Sequence, residues 1–117
     1  MTLKMTQREI DGVTVVALDG PIVLGEEINS LREKVKGLLA EGKRKIVLDM
    51  SNVPVVDSAG LGTLVGIHQS VTSRGAFLRL CSLGGRLKEL LQMTRLLTVF
   101  TVSANEADAV QSFGKTA

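Results

Sequence analysis

A mixed α/β sheet of about five strands, with about four helices packed against it, is the fold this chain predicts. Three observations carry that expectation. Two β-prone runs near the N-terminus meet at Asp11-Gly12, a strong hairpin signal. Residues 46–50 form a nearly continuous apolar run of high β-propensity, as in a central strand. Beyond it, strand-like and helix-like segments alternate, which calls for a sheet flanked by helices.

Taken in order, residues 5–10 and 13–18 are the hairpin strands, and Gly20-Pro21 ends the second. Ile28, Leu31, Val35, Leu38 and Leu39 then recur at helical spacing and predict a helix over 25–40, with Gly42 just past its end. The charged residues between them, including Glu26, Glu27, Glu33 and Glu41, are assigned to its solvated side. After the central strand, Ser58 opens a second helix that places Leu61, Leu64, Val65, His68 and Val71 on or near one face and ends near Arg74-Gly75. A strand over 76–81 follows, then a short helix over 86–93 with Leu87, Leu90 and Leu91 on one side. The last elements are a strand over 97–102 and a helix over 106–113, with Ala107, Val110 and Phe113 turned inward. The order is β-β-α-β-α-β-α-β-α, without linker or repeat.

The 117 residues suit one domain spanning the chain. A hydrophobic share of 44% and a charged share of 22% are ordinary for a soluble protein. The net charge is only +2, and aromatics make up 3%, with no Trp or Tyr. Direct nucleic-acid binding would call for a basic stripe or stacking aromatics, and neither is present. Lys43-Arg44-Lys45 is the densest basic run and falls in a turn, where it reads as solvated surface. No apolar run reaches the roughly 18 residues that span a membrane. The N-terminus also lacks a signal-peptide pattern, so a cytoplasmic location is expected. Cys81 is the only cysteine, which excludes an intrachain disulfide, and within its strand it reads as a small buried apolar residue.

The most informative stretch is Val55-Val56-Asp57-Ser58-Ala59-Gly60-Leu61-Gly62. Asp and Ser both cap helices well, so one of Asp57 and Ser58 is expected at the N-cap. A hydroxyl at a helix start also faces free backbone N–H groups and the positive end of the dipole, which favour an added anion. That setting suits a phosphorylation site at Ser58. Gly60, Gly62 and Gly66 each cost helix stability, about 1 kcal/mol against alanine. Such a cost is commonly offset by the close approach of the sheet or of a partner.

Enzymatic readings find little support. Gly-x-Ser-x-Gly is absent because position 56 is valine. The sole histidine, His68, lies ten residues along the same helix, about 15 Å from Ser58. It cannot activate that hydroxyl within one subunit. No His/Cys/Asp/Glu cluster has metal-ligand spacing, and no glycine loop ends in the Gly-Lys-Ser/Thr of a phosphate-binding loop. No catalytic residue and no cofactor is expected.

With these residues in view, the chain resembles a STAS domain, specifically a bacterial anti-sigma-factor antagonist. The likeness covers nearly the whole length. It rests on Ile46-Val47-Leu48-Asp49-Met50, on Val56-Asp57-Ser58-Ala59-Gly60-Leu61-Gly62, and on Leu87-Lys88-Glu89-Leu90-Leu91-Gln92-Met93-Thr94 before Val99-Phe100. The resemblance implies a partner switch. The unphosphorylated form binds an anti-sigma factor with serine kinase activity and frees the sigma factor. Phosphorylation of the motif serine, here Ser58, ends that binding, and a protein phosphatase restores it. ATP belongs to the partner. The implied partner surface comprises Asp57, Ser58, Ala59, Gly60, Leu61 and Gly62 with Ile22 and Val23. Many members carry Gly-Glu-Leu-Asp after the second strand, where this chain has Gly20-Pro21-Ile22-Val23. Two alternatives stand beside this reading: a STAS subunit of a sensory or lipid-transport complex, and a small-ligand or nucleotide-binding STAS module.

Overall fold

In the computed structural model, which describes residues 2–114, chain order and sheet order coincide. Strands β1 (Lys4–Ile10) and β2 (Val13–Asp19) form the antiparallel hairpin. Its turn residues Asp11 and Gly12 both have positive φ, 51° and 79°, which Asp-Gly tolerates. Helix α1 (Glu26–Ala40) leads to β3 (Lys45–Asn52), and α2 (Ser58–Ser73) leads to β4 (Phe77–Cys81). Helix α3 (Gly85–Met93), a 3₁₀ turn (Leu96–Thr98), β5 (Thr101–Ser103) and α4 (Glu106–Gly114) complete the chain. From β2 onward every strand pair is parallel.

A sheet that grows one strand at a time in one direction, through right-handed crossovers, must carry its crossover helices on one face. The packing follows that rule. Leu31, Val35 and Leu38 of α1, Leu64, Ile67 and Val71 of α2, and Leu87 and Leu91 of α3 share one core. The strands contribute Leu18, Ile46, Leu48, Met50, Leu78 and Leu80 to it. Helix α4 alone covers the opposite face, where Ala109, Val110 and Phe113 pack on Val13, Val15, Val47 and Cys81. Burial on both faces explains the nearly continuous apolar run of β3, which lies third of five.

Three expectations need correction. Residues 97–102 are not one strand: Arg95 takes a left-handed φ of 63°, residues 96–98 coil into the 3₁₀ turn, and only Thr101–Ser103 pairs with β4. The run is apolar because Phe100 plugs the core, not because it is extended. Ala107 is exposed, and Ala109 takes the inward position on α4. On α2 the expected face holds: Leu64 and Val71 are buried in a stripe with Gly60, Thr63 and Ile67, and Leu61, Val65 and His68 are half-buried at its margin. Glu27 is buried rather than solvated, since it lies one turn before Leu31 on the inward side.

Cys81 sits in the core beneath α4, fully covered. Burial first, and the nearby Asp49 carboxylate second, push its thiol up to about 11, against a partial offset from a Ser82 hydrogen bond. Thiolate is the reactive form, so iodoacetamide at about pH 8 should leave native protein unlabelled and label it after denaturation. Rapid native labelling, read by mass spectrometry, would show that the thiol is accessible.

Candidate functional site

Two loops meet at the carboxyl ends of β2 and β3. The first, residues 20–25, leads to α1; the second, residues 53–57, leads to α2. Three backbone bonds stitch them together: Gly20 N–H to Asn52 O at 3.1 Å, Ile22 N–H to Val55 O at 3.0 Å, and Asp57 N–H to Ile22 O at 3.3 Å. Ile22 and Val56 form a parallel bridge, so the second loop continues the sheet for one further pairing. The start of α2 is therefore held by sheet-like contacts on its inner side, leaving its outer side open.

Asp57 is the N-cap of α2. Its Oδ1 accepts the Gly60 N–H at 2.7 Å, the ordinary capping bond. Its Oδ2 accepts the Leu24 N–H from the other loop at 3.0 Å. One carboxylate thus closes the helix and pins the neighbouring loop. These bonds, Leu24 first and Gly60 next, hold the Asp57 carboxyl below the usual aspartate range. Capping by Asp57 frees the Ser58 side chain, which is exposed at the first position of the helix.

The residues named from sequence divide into two groups. Ser58 and Gly62 are exposed, and Asp57, Ala59, Leu61 and Val23 are half-buried, so these six can meet a partner directly. Gly60 and Ile22 are buried and face each other. A Cβ on Gly60 would overlap the Ile22 carbonyl oxygen and lie 2.9 Å from its carbon. The close approach expected at Gly60 is therefore real, and its neighbour is the chain's own loop. At Gly62 and Gly66 a Cβ would meet nothing within 4 Å, so internal packing explains neither.

Leu24 was not singled out in the sequence, and Val55 was named only as the start of the motif stretch, not as a surface residue. Both are exposed large hydrophobics, 77% and 47%, one on each of the stitched loops. The apolar run Ile22-Val23-Leu24 in a loop was the available signal.

A concavity of about 330 Å³ beside the second loop is lined by Pro54, Val55, Val56, Leu87, Leu90 and Arg86, whose guanidinium is its only charge. His68 packs edge-on against Phe100, ring centroids 5.4 Å apart, and serves as a packing residue. Among the described residues no three His, Cys, Asp or Glu side chains are grouped to hold a metal ion. No helix among them is long and apolar enough to cross a membrane. The site offers an exposed hydroxyl at a helix N-terminus, on a surface braced from beneath.

Comparison with known proteins agrees with this geometry. Residues 4–109 match the STAS domain. The chain is 35% identical to the anti-sigma-B factor antagonist of Bacillus subtilis, over 69% of this chain and 73% of the relative. Its fold superposes on the crystal structure of an anti-sigma factor antagonist from Mycobacterium paratuberculosis with a TM-score of 0.82 at 21% identity, covering 94% and 92% of the two chains. It also superposes on the Bacillus cell fate determinant SpoIIAA in its phosphorylated form, with a TM-score of 0.72 at 15% identity, covering 94% and 99%. The two superpositions establish a common fold. A five-stranded sheet with three helices on one face and one on the other, an exposed serine opening the helix that follows its central strand, and a match over nearly the whole length lead to one conclusion: the chain belongs to the STAS domain family.

Proposed function

We propose that this protein is an anti-sigma-factor antagonist switched by phosphorylation of Ser58. Unmodified, it binds an anti-sigma factor that is also a serine kinase, and the sigma factor is freed. Phosphate on Ser58 ends the interaction, and a phosphatase removes it. The observation that carries the reading is the placement of Ser58, exposed at the first position of α2 and relieved of capping by Asp57. A helix start with free N–H groups accommodates a phosphate dianion, and the open outer side admits a kinase. The relatives named as antagonists supply the partner class.

The test is phosphorylation by the cognate anti-sigma kinase with Mg-ATP, followed by peptide mass spectrometry. One phosphate is expected, on Ser58, and Ser58→Ala should abolish its incorporation. Ser51 lies in β3, Ser70 and Ser73 near the end of α2, and Ser82 between β4 and the Gly84 cap of α3, so none of them opens a helix. Phosphate recovered mainly on one of those serines would overturn the assignment. A pull-down comparing unmodified with phosphorylated protein then reads the switch itself.

A further inference from the structure

We propose that Leu24 is a specificity-determining apolar anchor for the kinase-type partner, and that Asp57 is the positioning residue that holds it beside Ser58. The proposal rests on the partner-switching reading above and extends it to a residue that neither the motif nor its immediate flanks contain.

A single exposed leucine is ordinary on a protein surface. This one differs in three respects. Its backbone N–H is bonded to the Asp57 carboxylate, 33 residues away in sequence, so the loop that carries it is held in place. Its loop is stitched to the second loop by the Ile22–Val56 bridge, which sets Leu24 and the exposed Val55 on adjoining segments. Finally, its tether is the residue immediately before the phosphoacceptor. A protein that brings a γ-phosphate to the Ser58 hydroxyl must cover this neighbourhood as well.

The chemistry of the partner follows. Residues 22–24 carry no charge, and the acceptor on the Leu24 N–H is internal, so this loop offers the partner apolar surface. The matching feature on the partner would be an apolar contact surface close to where it delivers the γ-phosphate. With its backbone already tethered, the loop that carries Leu24 loses less conformational freedom on docking than an untethered one. Burying one leucine side chain corresponds to about a ten- to hundredfold change in binding.

The probe is the purified anti-sigma kinase that phosphorylates Ser58, with Mg-ATP, and the readout is kcat and KM for the wild type, Leu24→Ala, Leu24→Asp, Asp57→Asn and Asp57→Ala. Leu24→Ala is expected to raise KM by about tenfold or more with kcat unchanged, and Leu24→Asp to raise it further, neither altering the melting temperature. Asparagine has one acceptor oxygen where aspartate has two, so Asp57→Asn can keep the cap or the tether but not both. Asp57→Ala keeps neither, and should raise KM and speed solvent exchange of the Leu24 amide, read by NMR without any partner. Wild-type KM in both Leu24 variants would overturn the anchor and leave the Ser58 assignment standing. An unchanged Leu24 exchange rate in Asp57→Ala, which removes both acceptor oxygens, would overturn the positioning role. If the wild type itself accepts no phosphate, the partner-switching reading falls and the anchor with it.

Discussion

Gly60→Val is expected to destabilise the protein by about 3 kcal/mol, near the upper end of what overpacking costs in a crowded interior. Gly60 is buried in the first turn of α2, against the Ile22 carbonyl. The obstructing group is backbone, which cannot rotate away as a side chain could. It is also committed, since the Ile22 carbonyl accepts the Asp57 N–H and the Ile22 N–H binds Val55 O. Making room for a side chain means separating the two loops or lifting the start of α2. Even Gly60→Ala places its Cβ in this overlap, whereas Gly66→Ala enters open space. Gly66→Ala should therefore stabilise the helix by up to about 1 kcal/mol. Thermal melting of the three variants checks the pattern: Gly60→Val on the order of 10 °C below wild type, Gly60→Ala also below, Gly66→Ala slightly above. A wild-type melting point for Gly60→Val would show that the loops move apart freely.

Ser58→Asp, and more strongly phosphorylation of Ser58, should weaken partner binding by about a hundredfold, near 3 kcal/mol, while the fold stays intact. The phosphate adds about −1.5 to −2 charge at pH 7. In the free protein two opposing effects meet it. The N-terminus of α2 favours an anion by roughly 0.3–1 kcal/mol, and the ionised Asp57 next in sequence repels it. Ser58 is exposed, so water screens both, and the core beneath is untouched. In the complex the same charge is crowded and partly desolvated against a surface that accepts a neutral hydroxyl, where its cost is far larger. Calorimetry with the purified anti-sigma kinase measures the affinity, and circular dichroism with thermal melting measures the fold. A variant that unfolds would mean a folding switch instead of a charge switch. One that binds with full affinity would mean that Ser58 lies outside the interface.

These two expectations differ in how far they could be read from the sequence. The place of Ser58 was legible because its causes are local. A β-prone apolar run, a good capping residue and a helical period follow one another within about twenty residues, and each is a short-range signal. Cys81 was legible for the same reason, as an apolar-sized residue within a strand. Residues 97–100 were not. A short apolar run is compatible with a strand or with a plug for the core, and only the left-handed turn at Arg95 and the burial of Phe100 decide between them. Glu27 misled for a related reason: its charge suggested solvent, while the helical phase shared with Leu31 placed it inward.

By itself, then, the sequence determined the order of elements, the hairpin, the central strand and the serine at the start of a helix. Each of these is set by side-chain period and backbone preference over a few neighbouring residues. The tertiary structure alone decided what Gly60 is close to, that Asp57 has a second acceptor engaged, and which hydrophobic residues stand beside Ser58. Gly60 meets Ile22, and Asp57 reaches Leu24 across 33 residues of chain. Such contacts arise from the parallel pairing of β2 with β3, which brings the two loops out at the same end of the sheet. No local period encodes them, because they exist only once distant segments have been packed side by side.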